Sequence, residues 1–106
     1  MFNLFNTKKN VINVNDLDPL LGKIELIDIR EPSEVSNGTL LTAKNIPMNS
    51  LMNNPGKYLI KDKTYYIMCQ SGGRSSRTTS FLEKQGYNVI NVSGGMGSYA
   101  GNKIKK

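Results

Sequence analysis

Three short stretches of the chain are apolar and sharply bounded by polar or turn residues: Ile24-Glu25-Leu26-Ile27-Asp28-Ile29, Thr64-Tyr65-Tyr66-Ile67-Met68 and Asn88-Val89-Ile90-Asn91-Val92. Their β-branched and aromatic content suits a strand buried on both faces. A fourth stretch, Val11-Ile12-Asn13-Val14, alternates apolar and polar positions and also reads as a strand, while Ala43-Lys44-Asn45-Ile46-Pro47 reads as a short extended piece. Helical segments fall between them. Asn15-Asp16-Leu17-Asp18 offers an N-cap and an acidic first turn for a short helix closed by Gly22. A helical stub over Arg30-Glu31-Pro32-Ser33-Glu34-Val35 is ended by Gly38, and a helix from Asn49 to Asn54 is broken by Pro55-Gly56. The longest helical pattern runs from Ser75 to Gln85, with Phe81 and Leu82 as its larger core contacts and Gly86 where a left-handed residue is wanted. Ser93-Gly94-Gly95 leads into a short terminal helix. Strands alternating with helices at these spacings predict an α/β domain with a parallel sheet covered on both faces.

A length of 106 residues, 38% of them hydrophobic, supports one domain with its own core. The predicted division is an N-terminal extension over residues 1–9, a domain over 10–100 and a basic C-terminal tail over 101–106. No apolar run approaches the roughly 20 residues of a membrane span, and the N-terminus lacks the pattern of an export signal. The net charge of +6 suggests nucleic acid at first sight. Five lysines, Lys8, Lys9, Lys103, Lys105 and Lys106, lie at the two ends, however, and without them nine basic residues face eight acidic ones. Such ends are ordinarily solvated, so no nucleic-acid partner and no membrane are expected.

One cysteine and no histidine narrow the chemistry further. A single Cys cannot close an internal disulfide, which fits a reducing cytoplasm. Without His there is no Ser-His-Asp triad or Cys-His dyad, and without a second Cys there is no C-x-x-C redox pair or Cys/His zinc site. Neither a metal nor an organic cofactor is called for. Cys69 lies at the end of the predicted strand Thr64–Met68, where open parallel sheets bind ligands, and Gln70, Ser71, Gly72, Gly73, Arg74 and Ser75 follow it. The two glycines let successive N–H groups turn inward as an anion nest, and the following helix adds the positive end of its dipole. That surrounding favours a thiolate, a nucleophile that needs no His base, with Arg74 as a planar fork for anion oxygens. A lone Cys at a strand end is ordinarily an inert core thiol. A run of small and polar residues after it is poor core material, which favours the functional reading.

Asp28 and Arg30 stand two apart at a strand end and share one side. Arg30 is either a second anion contact or, as burial of charge demands partners, part of a network with Asp28 at the base of the loop. Tyr65, Tyr66 and Tyr87 read as packing residues, and Met48, Met52, Met68 and Met96 as core or pocket lining.

Taken together, these pieces resemble the rhodanese-like domain family, whose active loop has the form C-x-x-x-x-R closing on a helix. Leu26-Ile27-Asp28-Ile29-Arg30-Glu31-Pro32 is similar to the family's first signature, Asn45-Ile46-Pro47 to its next element, Cys69 to Ser75 to its active loop, and Gly94-Gly95-Met96 to its C-terminal signature. The chain departs from the common pattern at Thr39, where many relatives carry His, and at Tyr99, where many carry Trp. The resemblance implies a small three-layer α/β fold with a parallel sheet of about five strands and helices on both faces. It also implies a sulfurtransferase whose Cys69 carries sulfur as a persulfide, from a small anionic donor such as thiosulfate or polysulfide to a thiol, cyanide or protein acceptor. Met96, by its place in the last signature, would border the site. Phosphatases that share the fold separate Cys from Arg by five residues, and the four found here, Gln70 to Gly73, make a tighter cradle suited to one sulfur atom. A Cys-based phosphatase or arsenate reductase and a non-enzymatic persulfide carrier are the alternatives.

Overall fold

A computed structural model describes residues 10–106, so the expected extension over 1–9 lies outside the described residues. Five strands, β1 (Val11–Asn13), β2 (Glu25–Asp28), β4 (Lys44–Asn45), β5 (Thr64–Met68) and β6 (Asn88–Ser93), form one sheet in the order β1-β6-β5-β2-β4. Every pairing in it is parallel. The pleat sends alternate residues to opposite faces and builds two cores. Ile27, Tyr65, Ile67 and Val89 face one side with Cys69, packed against Leu51, Leu59 and Leu82. Leu26, Met68 and Val92 face the other side with Val14, Leu17 and Leu40. The first face is covered by α2 (Met48–Asn53), α3 (Pro55–Tyr58) and α4 (Gly73–Lys84), and the second by two 3-10 turns and α5 (Gly95–Ser98). The α/β architecture with a five-stranded parallel sheet is the one expected.

The differences from expectation are local and have local causes. In place of one short helix after β1 there are two 3-10 turns, Val14–Asp16 and Asp18–Leu20. Pro19 has no N–H to donate and crowds the preceding backbone, so a continuous helix cannot pass through it. Asn13, two residues before the expected cap region, takes the N-cap role by accepting from the Asn15 N–H. Pro55 starts a further helical turn, α3, rather than only ending α2, as its fixed φ suits a first helical position. Helix α4 opens at Gly73, two residues early, because Gly72 at φ 103° makes the turn that leads into it. Gly86 has the expected left-handed φ, at 93°. At the C-terminus, β7 (Ile104–Lys105) pairs antiparallel with β3 (Thr39–Leu40), so residues read as a tail add a two-stranded ribbon to the fold.

This topology sets the site. Strands β2 and β5 are neighbours with Asp28 opposite Met68, and the Ile29 N–H donates to the Met68 carbonyl at 2.9 Å. Cys69 and Arg30, far apart in sequence, therefore leave the sheet side by side.

Candidate active site

Cys69 follows β5 directly and is fully buried. Burial alone would fit an inert core thiol. Its sulfur, however, accepts from the Gly72 N–H at 3.0 Å and the Ser75 N–H at 3.3 Å, and the thiol donates to Ser75 Oγ at 3.4 Å. Gly72 is the N-cap of α4 and Ser75 lies in its first turn, so these amides have no partner within the helix and are free to hold an anion. Burial is the largest single influence on the thiol and pushes its pKa up. The Ser75 hydroxyl and the N–H groups of Ser75, Gly72 and Ser71 together outweigh it and hold the thiol below its ordinary 9.0. Of the other loop residues, Gln70, Ser71 and Gly73 are exposed at the rim.

Two ion pairs flank this cradle. Asp28 and Arg30 are both buried and paired at 2.8 Å. Arg30 also donates to the Gly38 carbonyl at 2.8 Å, to Gln70 Oε1 at 3.1 Å and, more weakly, to the Glu34 carbonyl at 3.4 Å. The Asp28 carboxylate accepts in addition from Thr39 Oγ1 at 2.7 Å and from the Arg30 N–H at 3.1 Å. The pair thus forms a satisfied network that ties β2, β3 and the start of the loop together, and Arg30 does not present its guanidinium to an incoming anion. Thr39, a departure from the common family pattern, is a member of that network. The second pair is Arg74 with Glu34, a bidentate contact with both N···O distances at 2.8 Å. This partner keeps the Glu34 carboxyl near 2, well below its ordinary 4.5, and raises Arg74 in turn.

The far wall comes from the C-terminal signature. The Met96 N–H donates to the Cys69 carbonyl at 2.9 Å and the Gly97 N–H to the Gln70 carbonyl at 2.8 Å, so the first turn of α5 fixes the backbone on which the thiol sits. Met96 therefore borders the site through its backbone, while its side chain packs with the opposite core. Gly95, at φ 59°, lies so close beneath the loop that a Cβ would overlap the Cys69 and Gln70 carbonyls. Tyr99 is turned away and donates to Asp18 Oδ1 at 2.7 Å.

Sequence reasoning did not single out Glu34, Thr39 or Gly95 as parts of the site. Glu34 is the most legible of the three, because Glu31 and Glu34 form a capping box at the start of α1 (Pro32–Val35), and that spacing can be read from sequence. Its bond to Arg74, 40 residues away, cannot. Among the described residues, no group of three or more His, Cys, Asp or Glu side chains is placed to hold a metal ion. No helix there is long and apolar enough to cross a membrane.

A strand-end cysteine cradled by helix N-terminal amides, separated by four residues from an arginine, on a five-stranded parallel sheet defines a class of domain. The sequence profile of the rhodanese-like domain matches residues 13–102, and the chain belongs to this family. Among its relatives, YtwF of Bacillus subtilis, whose name describes it as a candidate sulfurtransferase, is 40% identical over 81 residues, covering 74% of this chain and 76% of that protein. A sulfurtransferase of Allochromatium vinosum is 34% identical over 95 residues, covering 86% and 88%. The crystal structure of a rhodanese-like domain protein from Staphylococcus aureus superposes with a TM-score of 0.80 at 29% identity, covering 91% of this chain and 96% of that one.

Proposed function

We propose that the protein is a sulfurtransferase that moves a sulfane sulfur through a persulfide on Cys69. The observation that carries the reading is the cradle itself: donors from Gly72 and Ser75 converge on the sulfur, where an inert core thiol would need none. In the first half-reaction the Cys69 thiolate attacks the outer sulfur of a donor such as polysulfide or thiosulfate. A bond forms between Sγ and that sulfur, the donor's sulfur–sulfur bond breaks, and its electron pair leaves with the remainder of the donor, as sulfite in the case of thiosulfate. The loop N–H groups of Gln70 to Ser75 then stabilise the charge on the terminal sulfur. In the second half-reaction a thiol, cyanide or an acceptor protein attacks the terminal sulfur, and the thiolate is regenerated, which makes the exchange ping-pong.

Ser75, Gly72 and Ser71 are the residues that activate Cys69, and the remaining loop positions shape the space around one added sulfur. Asp28 and Arg30 hold the loop base, and the Met96 N–H positions the Cys69 backbone. The names of the A. vinosum and B. subtilis relatives support sulfur transfer as the chemistry. Phosphate or arsenate chemistry is disfavoured because the fork of Arg74, which would clamp the oxyanion, already holds a carboxylate. A transferase assay with cyanide as acceptor, run on wild type and Cys69→Ser, tests the proposal. Turnover lost in the variant supports a catalyst. No turnover in either, with sulfur still retained on wild-type Cys69, indicates a carrier that serves a protein acceptor.

A further inference from the structure

Building on the sulfur-transfer reading, we infer that Glu34 sets the donor class: by occupying Arg74 it leaves a site that takes sulfur from an alkyl persulfide, R–S–SH, in preference to the dianion thiosulfate. Both terminal nitrogens of Arg74 lie 2.8 Å from Glu34 oxygens, and these are the parallel donors that would otherwise hold two oxygens of an anionic donor. Glu34 is itself pinned, because its Oε1 also accepts from the Glu31 N–H at 3.0 Å in the capping box of α1. The other guanidinium at the site offers no substitute. Arg30 is 4% exposed, and its donors are taken by Asp28, Gly38, Gln70 and Glu34. Asp28 with Arg30 and Glu34 with Arg74 therefore cancel in two pairs beside the loop.

What remains to attract an anion is the set of loop amides and the N-terminal end of the 12-residue helix α4, and these already hold the single charge of the thiolate. Attack on thiosulfate would gather three negative charges in this buried place, and among the described residues the two guanidiniums beside the loop, Arg30 and Arg74, already hold carboxylates. Attack on a protonated persulfide gathers one. In that step Cys69–S⁻ and R–S–SH give Cys69–S–SH and R–S⁻: the Sγ–S bond forms, the R–S–S link breaks, the electron pair leaves on R–S⁻, and the proton stays on the transferred sulfur.

The test compares thiosulfate with 2-hydroxyethyl persulfide, whose R–S–SH form is uncharged, as donors to wild type, Glu34→Gln and Glu34→Asp. For wild type, kcat/KM with the persulfide is expected to exceed that with thiosulfate by about 10-fold or more. In Glu34→Gln the thiosulfate value rises about 10-fold, mainly through a lower KM, while the persulfide value stays within about 2-fold. Glu34→Asp, which keeps the charge, behaves as wild type. Thiosulfate serving wild type as well as the persulfide does, or a thiosulfate value in Glu34→Gln that is unchanged or lower, overturns the role given to Glu34 and leaves sulfur transfer standing. A parallel loss with both donors in Glu34→Gln makes Glu34 a structural support and overturns it too. Failure of wild-type Cys69 to take sulfur from either donor removes the transfer reading itself.

Discussion

Ser75 does three things at once: its N–H and Oγ both face the Cys69 sulfur, and its Oγ also lies 3.2 Å from the Gly72 carbonyl, closing the loop on itself. Because its hydroxyl is the strongest of the effects that lower the Cys69 pKa, Ser75→Ala should raise the pKa of the thiol. Alkylation rates followed against pH would show this. In wild type the rate holds as pH falls below the ordinary thiol range and declines only on passing through the depressed pKa, whereas in Ser75→Ala the decline sets in at higher pH. Superimposable profiles would contradict the role of the hydroxyl. Asp28 has a different task. Asp28→Asn keeps the shape but leaves Arg30 buried without its counter-charge, and should destabilise the fold by about 3–5 kcal/mol in urea titration. Neither partner of this pair was obscure in the sequence, since two charged residues two apart at a strand end need each other. Thr39 was obscure, because its bond to Asp28 depends on how the chain returns after Gly38.

At the level of elements, the site is a junction of the carboxyl ends of β2 and β5 with the amino ends of α4 and α5. The strands were legible because β-branched and aromatic runs end at abrupt turn residues, and α4 was legible from its length and its closing Gly86. The β3–β7 ribbon was not. Its two-residue strands are too short to show any periodicity, and they join residues some 65 apart. The contribution of α5 was hidden for another reason: what matters is the direction of its first N–H groups, which belongs to the backbone and leaves no side-chain pattern. Gly95 is the one residue where that arrangement reaches the sequence. Gly95→Ala would drive a methyl group into the Cys69 and Gln70 carbonyls at a left-handed φ, and is expected to cost about 2–4 kcal/mol of stability and to slow sulfur uptake. Uptake and urea stability equal to wild type would show that α5 is not a fixed wall of the site.

For the whole molecule, the parallel sheet places one thiol where the amides of a helix N-terminus converge, and it does so without a histidine or a metal ligand set among the described residues. The charge of +6 is no guide to the site, since among the described residues Asp28 with Arg30 and Glu34 with Arg74 balance one another beside Cys69. The family could be read from the loop Cys69 to Ser75 together with the other signatures, and the same loop carries the nucleophile proposed here. The state of Arg74 could not, because its partner is fixed by tertiary packing. Persulfide formation on Cys69 is the point on which the rest depends, and intact-protein and peptide mass spectrometry after incubation with polysulfide measures it directly. The expected result is a gain of one sulfur atom located on Cys69, removed by cyanide and absent in Cys69→Ser. A wild-type protein that gains no sulfur from polysulfide, thiosulfate or an alkyl persulfide would contradict it.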